Sequence, residues 1–101
     1  MVVHILLSGR LKLDGYGRGM PDNGDGTFRL VLPAGGTVLD IVRSISIPPE
    51  QVALTMRNGR RCDLGTEVRS GDRIVLVPPD VAALWRALGR MDVAVESVLD
   101  F

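Results

Sequence analysis

The sequence predicts an α+β fold in which one helix covers one face of a mixed β-sheet. Three observations carry this expectation. Aliphatic, β-branched runs stand at Val2-Val3-His4-Ile5-Leu6-Leu7 and at Arg73-Ile74-Val75-Leu76-Val77. Val38, Ile41, Val42 and Ile45 recur between them at helical spacing. Asn58-Gly59 is a strong hairpin signal, because both residues tolerate the positive φ of a two-residue turn.

At 101 residues the chain has room for one domain with a modest core and a short appendage. Its 12 basic and 12 acidic side chains cancel, which argues against a general nucleic-acid binder, since that needs net positive charge. Cys62 is the only cysteine, so an intramolecular disulfide is excluded, a cysteine-based zinc site is disfavoured and a cytoplasmic setting fits. Met1 to Leu7 has no basic segment before its apolar run and no small-residue cleavage site after it. No stretch approaches the roughly 20 apolar residues of a membrane span, so neither export nor insertion is expected.

The first run is nearly continuous in hydrophobicity and so belongs in the interior of the sheet. Residues 14–26 hold Gly15, Gly17, Gly19, Gly24 and Gly26 with few apolar side chains, and read as a long, mobile loop to which burial contributes little. Thr27 to Leu32 is the second strand, with Phe28, Leu30 and Leu32 on one face. Pro33-Ala34-Gly35-Gly36 ends it. Thr37 then caps a helix over about 37–46, with Asp40 at the capping-box position. Pro48-Pro49 stops this helix, and Gln51 to Arg57 forms the next strand, returning through the hairpin into Arg60-Arg61-Cys62. After the turn Ser70-Gly71-Asp72, the last strand is apolar on both faces and therefore central. Pro78-Pro79 halts it. Asp80 can cap a terminal helix in which Val81, Leu84, Trp85 and Leu88 share one apolar face, and Gly89 can accept the left-handed conformation that closes it. Residues 90–101 fit a strand through Val93 and Val95 or a helix through Met91, Val95, Val98 and Leu99. Their apolar side chains need burial against their own domain or in a subunit interface.

Few residues offer chemistry. His4 is the only histidine and reads as a sheet residue, and Cys62 as a structural thiol with no base near it in sequence. The glycine loop lacks the lysine-serine pair and following helix of a phosphate loop. Its Asp14, Asp22, Asn23 and Asp25 match no twelve-residue calcium loop. With no convergent carboxylate pair in view, the chain is not expected to be an enzyme, and no metal or cofactor is expected. Arg57, Arg60, Arg61, Arg69 and Arg73 gather near the hairpin and the following turn; a solvated surface is the simplest reading of them, and the local basic bias would also suit an acidic partner. RNA fits less well, because no aromatic residues interleave them to stack bases.

Residues 2 to about 83 resemble the β-grasp sulfur carriers, a ubiquitin-like family that includes the small subunit of molybdopterin synthase and the thiamine-pathway carrier. The resemblance rests on Val3-His4-Ile5-Leu6-Leu7, Gly36-Thr37-Val38-Leu39-Asp40, Arg57-Asn58-Gly59-Arg60, and Ser70-Gly71-Asp72-Arg73-Ile74-Val75-Leu76-Val77-Pro78-Pro79. It implies a β-grasp domain over residues 1–79; residues 80–101 are then a C-terminal extension that opens with the helix expected after Pro78-Pro79. Family members end in a glycine pair whose carboxylate is adenylated by an activating enzyme and converted to a thiocarboxylate. Counted from Pro78-Pro79, those glycines correspond to Ala82 and Ala83, and the sequence runs on to Phe101.

Two functional readings follow. One is an accessory or divergent relative of the carriers in sulfur transfer or molybdopterin-type cofactor metabolism, meeting an activating enzyme or another protein of that pathway. The other is a protein-binding β-grasp module without sulfur chemistry, using its extension for self-association or to dock a partner.

Overall fold

The computed structural model describes residues 1–87, with the side chains of residues 1–84. Five strands, β1 (Val2–Leu7), β2 (Phe28–Val31), β3 (Leu54–Arg57), β4 (Arg60–Cys62) and β5 (Arg73–Val77), form one sheet in the order β2-β1-β5-β3-β4. Only β1 and β5 are parallel; β1–β2, β3–β4 and β3–β5 are antiparallel. Parallel neighbours need a long crossover, and here everything from β2 to β4 lies between them. Three α-helices, α1 (Arg10–Leu13), α2 (Val38–Ser44) and α3 (Pro79–Ala87), accompany the sheet among the described residues. This is the β-grasp, ubiquitin-like arrangement that the sequence predicts.

Alternation along the strands divides the core. Val3, Ile5 and Leu7 of β1, Leu30 of β2, and Ile74 and Leu76 of β5 meet Val38, Ile41 and Val42 of α2 on one face. The Thr37 hydroxyl accepts from the Asp40 amide at 3.3 Å and the Asp40 carboxylate accepts from the Thr37 amide at 2.8 Å, so α2 begins at a complete capping box. On the other face Val75 and Val77 of β5 and Met56 of β3 pack with Ala82 of α3, joined by Leu6, Leu54 and Val81. Covering on both sides explains why β5 is apolar from Ile74 to Val77. Asn58 and Gly59 both have positive φ, 51° and 87°, and close the β3–β4 hairpin as expected.

The structure departs from the sequence reading in four places. α1 was not anticipated; four residues are too few for a periodic signal, yet Leu11 is fully buried. The glycine loop carries more burial than its composition suggests, because Tyr16 and Met20 pack against the main core. β3 starts at Leu54 rather than Gln51, since Pro48-Pro49 seeds a 3₁₀ turn over Pro49–Gln51, with the Gln51 amide donating to the Pro48 carbonyl at 2.9 Å. α3 starts at Pro79, which places Asp80 inside the first turn instead of at the cap. Proline suits a first helical position, where its missing N–H costs no bond. The expected ending at Gly89, the place of Leu88, the side chain of Trp85 and the conformation of residues 90–101 lie outside the described residues.

Gly17 has φ +77°, and a Cβ there would stand 2.6 Å from the Phe28 ring, whereas Gly19, with φ +85°, has nothing within 4 Å of that position. Gly19→Ala is therefore expected to lose about 1–2 kcal/mol from the backbone alone. Gly17→Ala is expected to lose clearly more in urea unfolding, and equal losses would show that the loop does not pack on Phe28 as described.

Candidate functional site

The arginine-rich hairpin is organised by an acid that the sequence reading placed only in the turn Ser70-Gly71-Asp72. Asp72 is 6% exposed. Its carboxylate accepts from Arg57 Nε at 2.6 Å, from Asn58 Nδ2 at 2.9 Å and from the Arg69 amide at 2.7 Å. Its own carbonyl accepts from the His4 amide at 2.8 Å, and Asn58 Oδ1 accepts from the Arg73 amide at 2.9 Å. Burial alone would push the Asp72 carboxyl up; the bonds from Arg57, the Arg69 amide and Asn58 outweigh it and hold the group below the usual carboxylate range. The same bond and the nearby negative charge raise Arg57. Arg57 is thus committed to the fold.

The five arginines do not make one surface. Arg57 and Arg60 are cross-strand partners on the face that also carries Thr55 and Cys62, whereas Arg61 stands opposite Met56 on the other face. Arg73 shares that second face with Val75 and neighbours His4 of β1. Arg69 is exposed in the turn before β5. Sequence proximity could not show this partition, because it depends on register. Arg29, absent from the predicted patch, pairs with His4 from β2, so that Arg29, His4 and Arg73 form a row across the second face.

An open groove of about 740 Å³ runs along β3 and β4 and is lined by Thr55, Arg57, Arg60, Arg61 and Cys62 among others. The Thr55 hydroxyl donates to the Cys62 carbonyl at 2.6 Å, and the half-buried thiol lies 3.5 Å from Thr55 Oγ1. The thiol is thus half-buried and free, in line with the burial expected from the sequence. His4 Nδ1 lies 2.9 Å from Asn23 Nδ2, on a different part of the sheet. No group of three or more histidine, cysteine or acidic side chains among the described residues could hold a metal ion.

The carrier-tail positions lie in α3. Ala82 is 0% exposed against Met56, Val75 and Val77, and its amide donates to the Pro78 carbonyl at 3.1 Å. Ala83 is exposed. Of the predicted apolar face, Val81 is partly buried on the sheet, but Leu84 is 57% exposed and faces away. Gly9 makes room for this packing: a Cβ there would stand 2.5 Å from Val81 Cγ2.

The molecule is thus a β-grasp domain whose last strand runs into a helix docked on the sheet. Solved structures agree with the fold. The crystal structure of H. volcanii small archaeal modifier protein 1 is 19% identical over 77% of this chain and 97% of its own, with a TM-score of 0.58. A crystal structure of SAMP1 from Haloferax volcanii is 20% identical over 78% and 96%, with a TM-score of 0.57. A putative molybdopterin converting factor, subunit 1, from Pyrococcus furiosus is 19% identical over 78% and 98%, also at 0.57. No family model and no curated protein matches the chain.

Asp72 has a lowered folded-state pKa, so its stabilisation is complete above the ordinary carboxyl value of about 4 and is lost as pH falls through the lower folded value. Asp72→Asn is expected to lose about 1.5–3 kcal/mol at pH 7. It is also expected to flatten the acid limb of stability measured by urea unfolding between about pH 5 and 2. An unchanged acid limb would remove Asp72 from the centre of this network. Ala82→Asp should lower stability sharply, by placing a charge at a closed position, while Ala83→Asp stays within about 0.5 kcal/mol.

Proposed function

We propose that this protein is a β-grasp relative of the sulfur carriers that acts as an accessory component in sulfur transfer or molybdopterin-type cofactor metabolism, without carrying sulfur on residues 82–83. The observation behind this reading is the burial of Ala82 within α3. A carrier tail must be thin and extended to thread an activating enzyme's channel, and its carboxyl carbon must be unhindered. Here the equivalent residues are alanines in a helix, and releasing Ala82 and Val81 would uncover Met56, Val75 and Val77. The solved modifier protein and molybdopterin converting factor subunit support the relationship through the fold. Residues 1–79 form the β-grasp domain in this reading, residues 80–101 are an extension of it, and the chain performs no catalysis of its own. No helix among the described residues is long and apolar enough to cross a membrane, and the cytoplasm is the proposed setting.

A protein-binding module outside sulfur metabolism is the second reading. It is favoured by the groove along β3–β4, where exposed Arg60 stands beside Arg57 and Cys62 and suits an acidic segment of a partner.

One experiment separates them. The full chain is incubated with a molybdopterin-type activating enzyme, ATP and a sulfur donor, and both complex formation and intact mass are followed. The accessory reading expects a complex and no oxygen-to-sulfur exchange. No complex favours the binding module, and a thiocarboxylate on the chain overturns both.

A further inference from the structure

α3 packs on the sheet's second face over Met56, Val75 and Val77. Toward the start of β1 the same face carries the row Arg29, His4 and Arg73, one residue from each of three adjacent strands. Neighbouring strands stand about 4.8 Å apart, so both guanidinium groups can reach over the imidazole between them. Arg29 is exposed, and His4 and Arg73 are half-buried. Among the described residues neither guanidinium is in a salt bridge. Asp25 lies near enough to Arg73 to feel its charge, but its carboxylate is already engaged by the Thr27 amide and hydroxyl. Positive charge therefore gathers here with no described carboxylate bonded to it.

A chain of hydrogen bonds fixes what His4 presents to that charge. The Thr27 hydroxyl gives its one proton to Asp25 Oδ1, a carboxylate held below its usual range chiefly by that bond and so without a proton to give back. Thr27 Oγ1 can then only accept from Asn23, which turns the Asn23 amide nitrogen toward it at 2.8 Å. The same nitrogen lies 2.9 Å from His4 Nδ1 and donates its second proton there. Nδ1 is thus the acceptor, and the neutral ring carries its proton on Nε2. Among the described residues Nε2 has no partner. The row therefore offers one oriented N–H flanked by two forked cations. A carboxylate would present two coplanar oxygens to donors that come from three strands. A phosphate monoester presents three terminal oxygens, one for each donor, and nearly twice the charge. We propose that Arg29, His4 and Arg73 bind a phosphate monoester, with the imidazole Nε2–H and the two guanidinium groups donating to its oxygens. This goes beyond the proposed function and does not depend on it.

His4 is the only histidine, so its ring nitrogens are read without ambiguity by nitrogen NMR of the full chain. The neutral ring is expected to carry its proton on Nε2, and a majority Nδ1–H form overturns the proposal. Inorganic phosphate is then added, with acetate at matched ionic strength as the comparison. Phosphate is expected to move His4 Nε2 and the Arg29 and Arg73 side-chain signals along one saturating curve, while acetate does not saturate over the same range. Arg29→Ala is expected to weaken phosphate binding by about three- to ten-fold, with Arg73→Ala as the second variant. Asn23→Ala is expected to shift the ring toward the Nδ1–H form and to weaken binding with both arginines intact. Arg60→Ala, on the opposite face, leaves binding unchanged. A response to acetate equal to that to phosphate overturns the proposal, and so does a loss on Arg60→Ala as large as that on Arg29→Ala, since either would reveal a diffuse ion atmosphere. Glycerol phosphate and a phosphoserine peptide are titrated last; the tighter of the two shows whether the phosphoryl group arrives on a small molecule or on a partner chain, and binding of neither overturns the site.

Discussion

The buried carboxylate of Asp72 is the constraint on which most of this molecule's geometry depends. It lies at the entry to β5, bonds the hairpin through Arg57 and Asn58, and closes its own turn through the Arg69 amide. Its carbonyl takes the His4 amide of β1. One residue thus ties β1, β3 and β5 together at one end of the sheet. A carboxylate so placed would be costly without its partners; with them, it sets the register that sends neighbouring arginines to opposite faces.

That register also marks how far the sequence could be read. α2 was legible because its capping box and aliphatic spacing agree, and the hairpin because Asn58 and Gly59 accept a backbone that few residues do. β5 announced its central place by being apolar on both faces. The partition of Arg57 and Arg60 from Arg61 and Arg73 was not legible, since a shift of one residue would have reversed it. Leu11 was passed over because a helix of four residues has no period to detect. The inward side of α3 was misjudged for a related reason: size suggested Leu84, but close approach to the sheet favours the small Ala82, beside a Gly9 that leaves room for Val81. The signal for that contact was a glycine some 70 residues away in sequence.

Fold and chemistry separate cleanly here. The β-grasp sheet is shared with proteins whose names speak of modification and of molybdopterin conversion, yet a shared fold does not carry a shared function. In this chain the residues after the last strand turn back and become part of a second, smaller core. The sheet is then used on both faces. That makes Val81 and Ala82 contributors to stability, and any partner that needs Met56, Val75 or Val77 must displace a helix first.

The parallel pairing of β1 with β5 has a mechanical consequence. His4, Ile5, Leu6 and Leu7 run alongside Arg73, Ile74, Val75 and Leu76 in the same direction. Tension applied between the start of β1 and the end of β5 pulls the two strands past each other along their length. Their ladder is then loaded in shear, all bonds together, instead of being unzipped one by one. A domain joined to other machinery at these two points would hold its shape under a directional pull that would peel the β3–β4 hairpin from its outer edge.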